Sequence, residues 1–270
     1  MDPQDIEVTE QGPVGWITIR RPDRLNALRM TVTDREILAA LDSFAARDDI
    51  RAIALTGAGP RAFCTGWDME EIGETSLTDL EALVRQNTRL FDALWRQRQP
   101  VIAAVNGHAV ATGAALAMAC DLVVAADTAR LAEPEIRHGA LSPFLILPFL
   151  THAKPVHEFY FTGDAIDAEA MLRLGLANRV VPAADLHAAA QALGERLALV
   201  PREALELKKR SLKAAYDYMG LRDATERHAL ADTVMIGADL PWQRALMETL
   251  RDQGMRAFIE ARDGPFRTRR

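Results

Sequence analysis

Four short apolar runs, separated by segments of helical periodicity, set the first limit on this 270-residue chain. "VGWITIR" (14–20) mixes β-forming residues with alternating burial, while "RAIALTG" (51–57), "VIAAV" (101–105) and "DLVVAA" (121–126) are apolar almost throughout. Runs this short and this apolar read as strands covered on both faces rather than as helices. After the first run, Pro22 and the polar residues of "RPDRLNAL" (21–28) break the pattern. Thr33 and Glu36 then have capping-box spacing, and Ile37, Leu38, Leu41, Phe44 and Ala45 recur at the helical period. "AGPRAFCTGWD" (58–68) reads as a loop, and Leu80, Leu83, Val84, Phe91, Leu94 and Trp95 share a helix face until Pro100 stops it. A further helix is expected over roughly 113–119. Strand, helix and strand alternate, which predicts an α/β protein with parallel connections.

From Lys154 the sequence becomes helical, punctuated by Gly163, Gly175 and Pro182, and nothing after Val181 reads as a strand. Pro201 precedes "REALELKKRSLKAAYDY", so the expected division is an α/β core over 1–199 and a helical C-terminal region over 200–270. With 49% hydrophobic residues the chain can bury one sizeable core and an appendage. Its net charge is −6 with Lys and Arg scattered, which argues against nucleic acid and anionic membrane as partners. Cys64 and Cys120 stand in unlike contexts without metal-ligand spacing, as expected of a reducing compartment and no bound metal. "MDPQDIEVTE" (1–10) is acidic and polar rather than leader-like, and no apolar run reaches the ~20 residues that cross a bilayer, so a soluble cytoplasmic protein is expected.

Between the third and fourth runs lies "GHAVATGAALAMACD" (107–121), small residues with Gly107 and Gly113 and no charge before Asp121. Small residues at a turn between two strands let another group approach the backbone closely. Together with "RPDRLNAL" and "GPRAFCTGWDMEEI" (59–72), in this order and spacing, the stretch "PVIAAVNGHAVATGAALAMACDLVVAAD" (100–127) resembles the crotonase superfamily, the enoyl-CoA hydratases and isomerases. "EPEIRHG" (133–139), "FTGDAIDAEAMLRLGLANRVVP" (161–182) and "GMRAFIEARDGPF" (254–266) extend the resemblance over almost the whole chain. It implies a ββα spiral with a helical C-terminal oligomerisation region, assembled as a homotrimer or a pair of trimers (a hexamer). The implied substrates are acyl-CoA thioesters, with coenzyme A entering as part of the substrate and no separate cofactor.

Enzymes of this superfamily stabilise a thioester enolate, which needs two backbone N–H groups aimed at one oxygen. The resemblance assigns those donors to Trp67, where alanine is usual, and Thr112, where glycine is usual; neither departure removes an N–H. Trp67 is expected to reshape the acyl pocket, whose other wall would come from the apolar "SPFLILPFL" (142–150). Gly66, Asp68, Gly113, Ala27 and His138 fall at positions implied to line the substrate. Of the two carboxylates that hydratases carry, the first position holds Ala115 and the second holds Glu135, so isomerase-type proton transfer by one glutamate is favoured. A hydratase or lyase using one carboxylate and a water, and a catalytically weak acyl-CoA binder, are the alternatives. Glu133, Glu70, Glu71 and His138 are candidates for a second acid, each set against a solvated surface role, and His108 reads as a packed loop residue. Arg24 and Arg61 lie where guanidinium groups would meet the nucleotide phosphates. Ala261 replaces a lysine that commonly reaches a neighbouring subunit's CoA, and its neighbour Arg262 projects from another side of the same helix.

Overall fold

The structure is a computed structural model that describes residues 3–69, 88–141 and 144–267. All four apolar runs become strands of one six-stranded sheet: β1 (Ile6–Gln11), β2 (Val14–Ile19), β3 (Ala52–Gly57), β5 (Val101–Val105), β7 (Leu122–Ala126) and β10 (Arg179–Val181), side by side in that order. β1 pairs antiparallel with β2, and the other pairs are parallel. One face of the sheet presents Trp16, Ala54, Ile102, Ala104 and Val124. The other presents Ile17, Ile53, Leu55, Val101 and Ala103 to the main core, among Leu41, Phe44, Phe63 and Phe91. Both faces are buried, which is why the runs carry so little alternation.

A second sheet, β4-β6-β8-β9, comprises β4 (Ala62–Cys64), β6 (His108–Val110), β8 (Arg130–Ala132) and β9 (Ile166–Asp167). Each of β3, β5 and β7 is followed by a short strand of this sheet before the chain turns into helix, so the ββα unit of the expected spiral repeats. The stretch 58–68 is therefore not all loop: it contains β4, whose three residues are too few to display a period.

Helices fill the spaces between the strands. α1 (Thr33–Ala45) and a helical segment over 88–96 precede β5, and α2 (Thr112–Ala119) joins β6 to β7. After β8 come α3 (Leu147–Leu150), α4 (Ala153–Thr162) and α5 (Ala168–Arg173), and after β10 comes α6 (Leu186–Ala198). The capping box expected at Thr33 does not form. Val32 holds the N-cap position without a side-chain bond, and Thr33 already lies inside the helix. The Thr33 hydroxyl instead accepts from the Arg29 amide at 2.9 Å and donates to Asp5 at 2.5 Å. Glu36 accepts the backbone N–H groups of Gln4 and Asp5, so this pair anchors the N-terminal segment rather than the helix end.

α6 covers the first sheet with Leu186, Ala190 and Leu193. Beyond it run α7 (Arg202–Tyr218), α8 (Leu221–Ile236), α9 (Pro241–Gln253) and α10 (Met255–Arg267). Lys209 and Lys213 of α7 grip Asp121 at 2.6 and 2.9 Å, fixing the helical region to the entrance of β7. Leu207 and Leu212 of α7, and Leu230 and Val234 of α8, remain exposed in the single chain. Among the described residues no helix is long and apolar enough to cross a membrane.

Candidate active site

β4 lies beside β6, and this pairing brings the exit of one against the helix that follows the other. Two glycines permit the approach. A Cβ on Gly113 would stand 2.0 Å from the Cys64 carbonyl oxygen, and one on Gly66, whose φ is +90°, would stand 2.7 Å from the Ala111 Cβ and 3.3 Å from the Thr112 nitrogen. The Gly66–Trp67 turn and the first turn of α2 are thus neighbours.

Around Trp67 the backbone is held on both sides. Leu28 N–H donates to the Gly66 carbonyl at 2.8 Å, and the Leu28 carbonyl accepts Asp68 N–H at 2.9 Å. Ala111 makes the turn from β6 into α2 at φ 61° and ψ −133°, and its carbonyl accepts the amides of Ala114 and Ala115. Among the described residues, the N–H groups of Trp67 and Thr112 are left without a protein acceptor. Two amides unpaired in adjacent turns, one opening a helix, are suited to an oxyanion.

Two asparagines hold these loops in place. Asn26, completely buried with its backbone at φ 56°, donates to the carbonyls of Ala58 and Ala62 and accepts from Arg21 N–H. Asn106 donates to the carbonyls of Gly57, Gly59 and Ala62. Arg21 bonds the Ala27 carbonyl at 2.6 Å and Asp68 at 2.9 Å, so Ala27 and Asp68 both belong to the scaffold beneath the Trp67 turn.

Glu135 lies on a 3₁₀ turn, Pro134–His138, directly after β8 and ended by Gly139 at φ 80°. Pro134 stiffens the entry to the turn, and Gly163 admits the end of α4, because a Cβ there would stand 2.9 Å from the Pro134 Cα. The Glu135 Oε2 atom is buried without a hydrogen-bond partner among the described residues. Burial pushes its carboxyl up to about 8; the Arg262 guanidinium opposes this and Asp232 adds to it. Asp232, on α8, is itself pushed up to about 6 by burial and accepts Leu141 N–H at 2.7 Å.

His138 packs edge-on against Phe258 of α10, and burial pushes its imidazole down to about 4. It is therefore uncharged at neutral pH. Glu133 is buried, not solvated, and Tyr160 of α4 brings a buried hydroxyl, approached by the backbone of Ile146 and Leu147 outside hydrogen-bond geometry, within electrostatic reach of Glu133 and Glu135. Ala115, in the first turn of α2, is 1% exposed and offers no proton. Arg262 turns toward its own chain's Glu135 and His138 while paired to Asp263 at 2.9 Å, and Ala261 faces solvent.

On the outer side, Arg61 donates to the Pro22 carbonyl at 2.8 Å and, with Leu25, Pro60, Gly107, His108 and Thr128, lines an open cavity of about 350 Å³. Arg24 ends the exposed 3₁₀ turn Pro22–Arg24 nearby in sequence. Glu70, Glu71, Leu80, Leu83 and Val84, and Ser142 and Pro143 of the apolar stretch, lie outside the described residues. The sequence reading passed over Asn26, Asn106, Ala111, Tyr160 and Asp232. Only the asparagines carried a signal, Asn26 as a polar residue between Leu25 and Ala27 and Asn106 as the polar residue that ends the apolar run Val101–Val105. Among the described residues no group of three His, Cys, Asp or Glu side chains is placed to hold a metal.

The profile of the enoyl-CoA hydratase/isomerase family matches residues 9–269. A putative enoyl-CoA hydratase of Thermus thermophilus is 34% identical over 262 residues, covering 95% of this chain and 98% of that protein. The probable enoyl-CoA hydratase echA8 of Mycobacterium tuberculosis is 33% identical over 266 residues, covering 97% and 98%. The crystal structure of an enoyl-CoA hydratase/isomerase from Xanthobacter autotrophicus Py2 superimposes with a TM-score of 0.93 at 31% identity, covering 97% of this chain and 98% of that one.

Proposed function

Because this chain belongs to the enoyl-CoA hydratase/isomerase family, the crotonase superfamily, we propose that it binds an acyl-CoA and holds the thioester oxygen between the N–H groups of Trp67 and Thr112. Glu135 then takes a proton from the carbon next to the thioester, and the enolate charge settles on the oxygen facing the two amides. With Ala115 buried and without a carboxylate, the same Glu135 returns the proton at another carbon, an isomerase-type transfer. The observation that carries this reading is the Glu135 carboxyl itself: one oxygen buried and unpartnered, and an affinity for protons raised toward neutral pH, as a base that must also act as an acid requires.

Arg61 lines the outer cavity and Arg24 directly precedes its wall residue Leu25 in sequence, and guanidinium groups there suit the phosphates of CoA. In a trimer or paired trimers, further copies of the chain would cover the exposed leucines of α7 and Leu230 and Val234 of α8, and that exposure supports the assembly.

A second reading, hydration, is favoured by the names of the relatives and by the buried Tyr160 hydroxyl within electrostatic reach of Glu135, which offers a second polar group for a water. A panel of saturated, 2-enoyl, 3-enoyl and aromatic CoA thioesters, followed by mass spectrometry and chromatography, tests both. Double-bond migration without mass change supports isomerisation, and gain of one water supports hydration. Binding of every thioester with conversion of none would leave an acyl-CoA binder and refute the catalytic reading.

A further inference from the structure

Asp34, in the first turn of α1, is the one fully enclosed carboxylate of the described residues that the proton-transfer reading leaves idle. It is 0% exposed, and among the described residues neither of its oxygens has a hydrogen-bond partner. The Trp67 indole Nε1 is likewise buried and unpartnered. The indole faces Asp34 closely enough to pull its carboxyl pKa down, though not in hydrogen-bond geometry, and burial outweighs that pull and carries it up to about 7. The segment from Leu28 to Asp34 therefore meets Trp67 twice, at the backbone through Leu28 and at the ring through Asp34.

Among the described residues, other charges of this stretch are engaged elsewhere. Asp5 takes Arg29 at 2.6 Å and the Thr33 hydroxyl, Glu36 takes the amides of Gln4 and Asp5, and Arg21 takes Asp68. On the inner side, the Cys64 thiol of β4 is pushed up to about 12 by burial and stays neutral. An ionised Asp34 would thus be an unpaired buried charge, and it would oppose a negative charge building up beside the Trp67 peptide in a poorly polarisable interior. As a neutral acid it keeps a carbonyl oxygen for the indole N–H and adds no opposing charge.

We propose that Asp34 is a positioning residue of the oxyanion hole: enclosed beside the buried indole nitrogen of Trp67, it holds the ring in place and so keeps the Trp67 N–H aimed at the thioester oxygen. This rests on the reading of Trp67 as an oxyanion donor. It also gives the tryptophan a role that the usual alanine cannot fill: the ring is the handle by which α1 sets the peptide.

The test uses acetoacetyl-CoA, whose enolate has a near-ultraviolet absorbance that reports charge held in the hole without turnover. Binding is followed between about pH 5.5 and 9. Wild type, D34N and W67F are compared in an E135Q background, which removes the base's titration from the same window. D34N mimics the neutral acid, so bound enolate should persist to high pH. With Asp34 present, bound enolate should fall relative to D34N by up to tenfold per pH unit above about 7. W67F keeps a ring and loses the indole N–H. It should lose about tenfold in bound enolate at every pH, and lose less in butyryl-CoA affinity, because the neutral thioester oxygen draws less on the two amides than the enolate does. D34N and Asp34 curves that run parallel would overturn the inference and leave the hole standing. If D34N does not fold, W67F decides, and wild-type enolate binding in that variant overturns it. If no form binds the enolate at any pH, the oxyanion-hole reading itself is wrong.

Discussion

Replacing Glu135 with glutamine should cost activity and yield stability, with both effects following from the same buried oxygen. The carboxyl of Glu135 is raised from 4.5 to about 8. Its pKa is higher folded than unfolded, so between those two values the native state binds the proton that the unfolded state has released. Stability therefore falls as pH rises through that window, and is restored below 4.5, where both states are protonated. A shift of this size corresponds to a penalty on the order of 5 kcal/mol once pH exceeds about 9. E135Q cannot ionise. Its stability advantage over wild type should be small near pH 5 and grow steadily toward pH 9, by roughly 10 °C in Tm at ~2–4 °C per kcal/mol. Any constant cost of placing an amide against the same unpartnered pocket shifts both ends of the curve equally and leaves the growth intact. In the same variant, kcat on the substrate identified by the thioester panel should fall by about 10²–10⁴-fold. In wild type, kcat/KM should rise about tenfold per pH unit up to about pH 8 as the base ionises, after allowance for Asp34. Thermal melts of both proteins across that range decide the matter. A Tm difference independent of pH, or near wild-type kcat in E135Q, would refute the account of Glu135 as a desolvated base.

Three further outcomes can be measured directly. Ala111→Gly should stabilise the chain by about 1 kcal/mol, because relief of ~1–3 kcal/mol of strain at φ 61° exceeds the 0.4–1 kcal/mol of added unfolded-state entropy; a lower urea midpoint would contradict this. Ala115→Glu places a carboxylate in the first turn of α2, where the helix end favours it, and should add 2-enoyl-CoA hydration at a cost of ~1–3 kcal/mol in stability; strong hydration by the unaltered protein would show that Ala115 is not the limiting position. Sedimentation at micromolar concentration should give a trimer or hexamer, and a stable monomer would leave the exposed Leu207, Leu212, Leu230 and Val234 without the proposed cover.

The parallel sheet was legible because its strands are buried on both faces, and continuous apolar runs such as Val101–Val105 have no other economical reading. The second sheet was not, since β4, β6 and β8 are three residues each, and their pairing depends on distant partners rather than on any local period. Glycine signalled where the two turns of the site meet, because Gly66 and Gly113 tolerate contacts that a Cβ would forbid. Electrostatics was the least legible layer. Thr33, Asp34 and Glu36 have the composition of an ordinary helix start, and two of them do bind backbone and side chains of the N-terminal segment. Asp34 differs from its neighbours because its place on the helix turns it inward, toward the Trp67 indole, where no cation among the described residues pairs with it. Glu135 and His138 share one 3₁₀ turn and the same neighbour Arg262, yet burial drives one toward the proton and the other away from it. In each case desolvation favours the uncharged form, so a single environment yields a protonatable carboxyl and a neutral imidazole side by side. α10 shares in that environment with the ends of α4 and α9, laying Phe258 against His138 and the charge of Arg262 beside Glu135, so the C-terminal helix bears on the proton affinity of both groups.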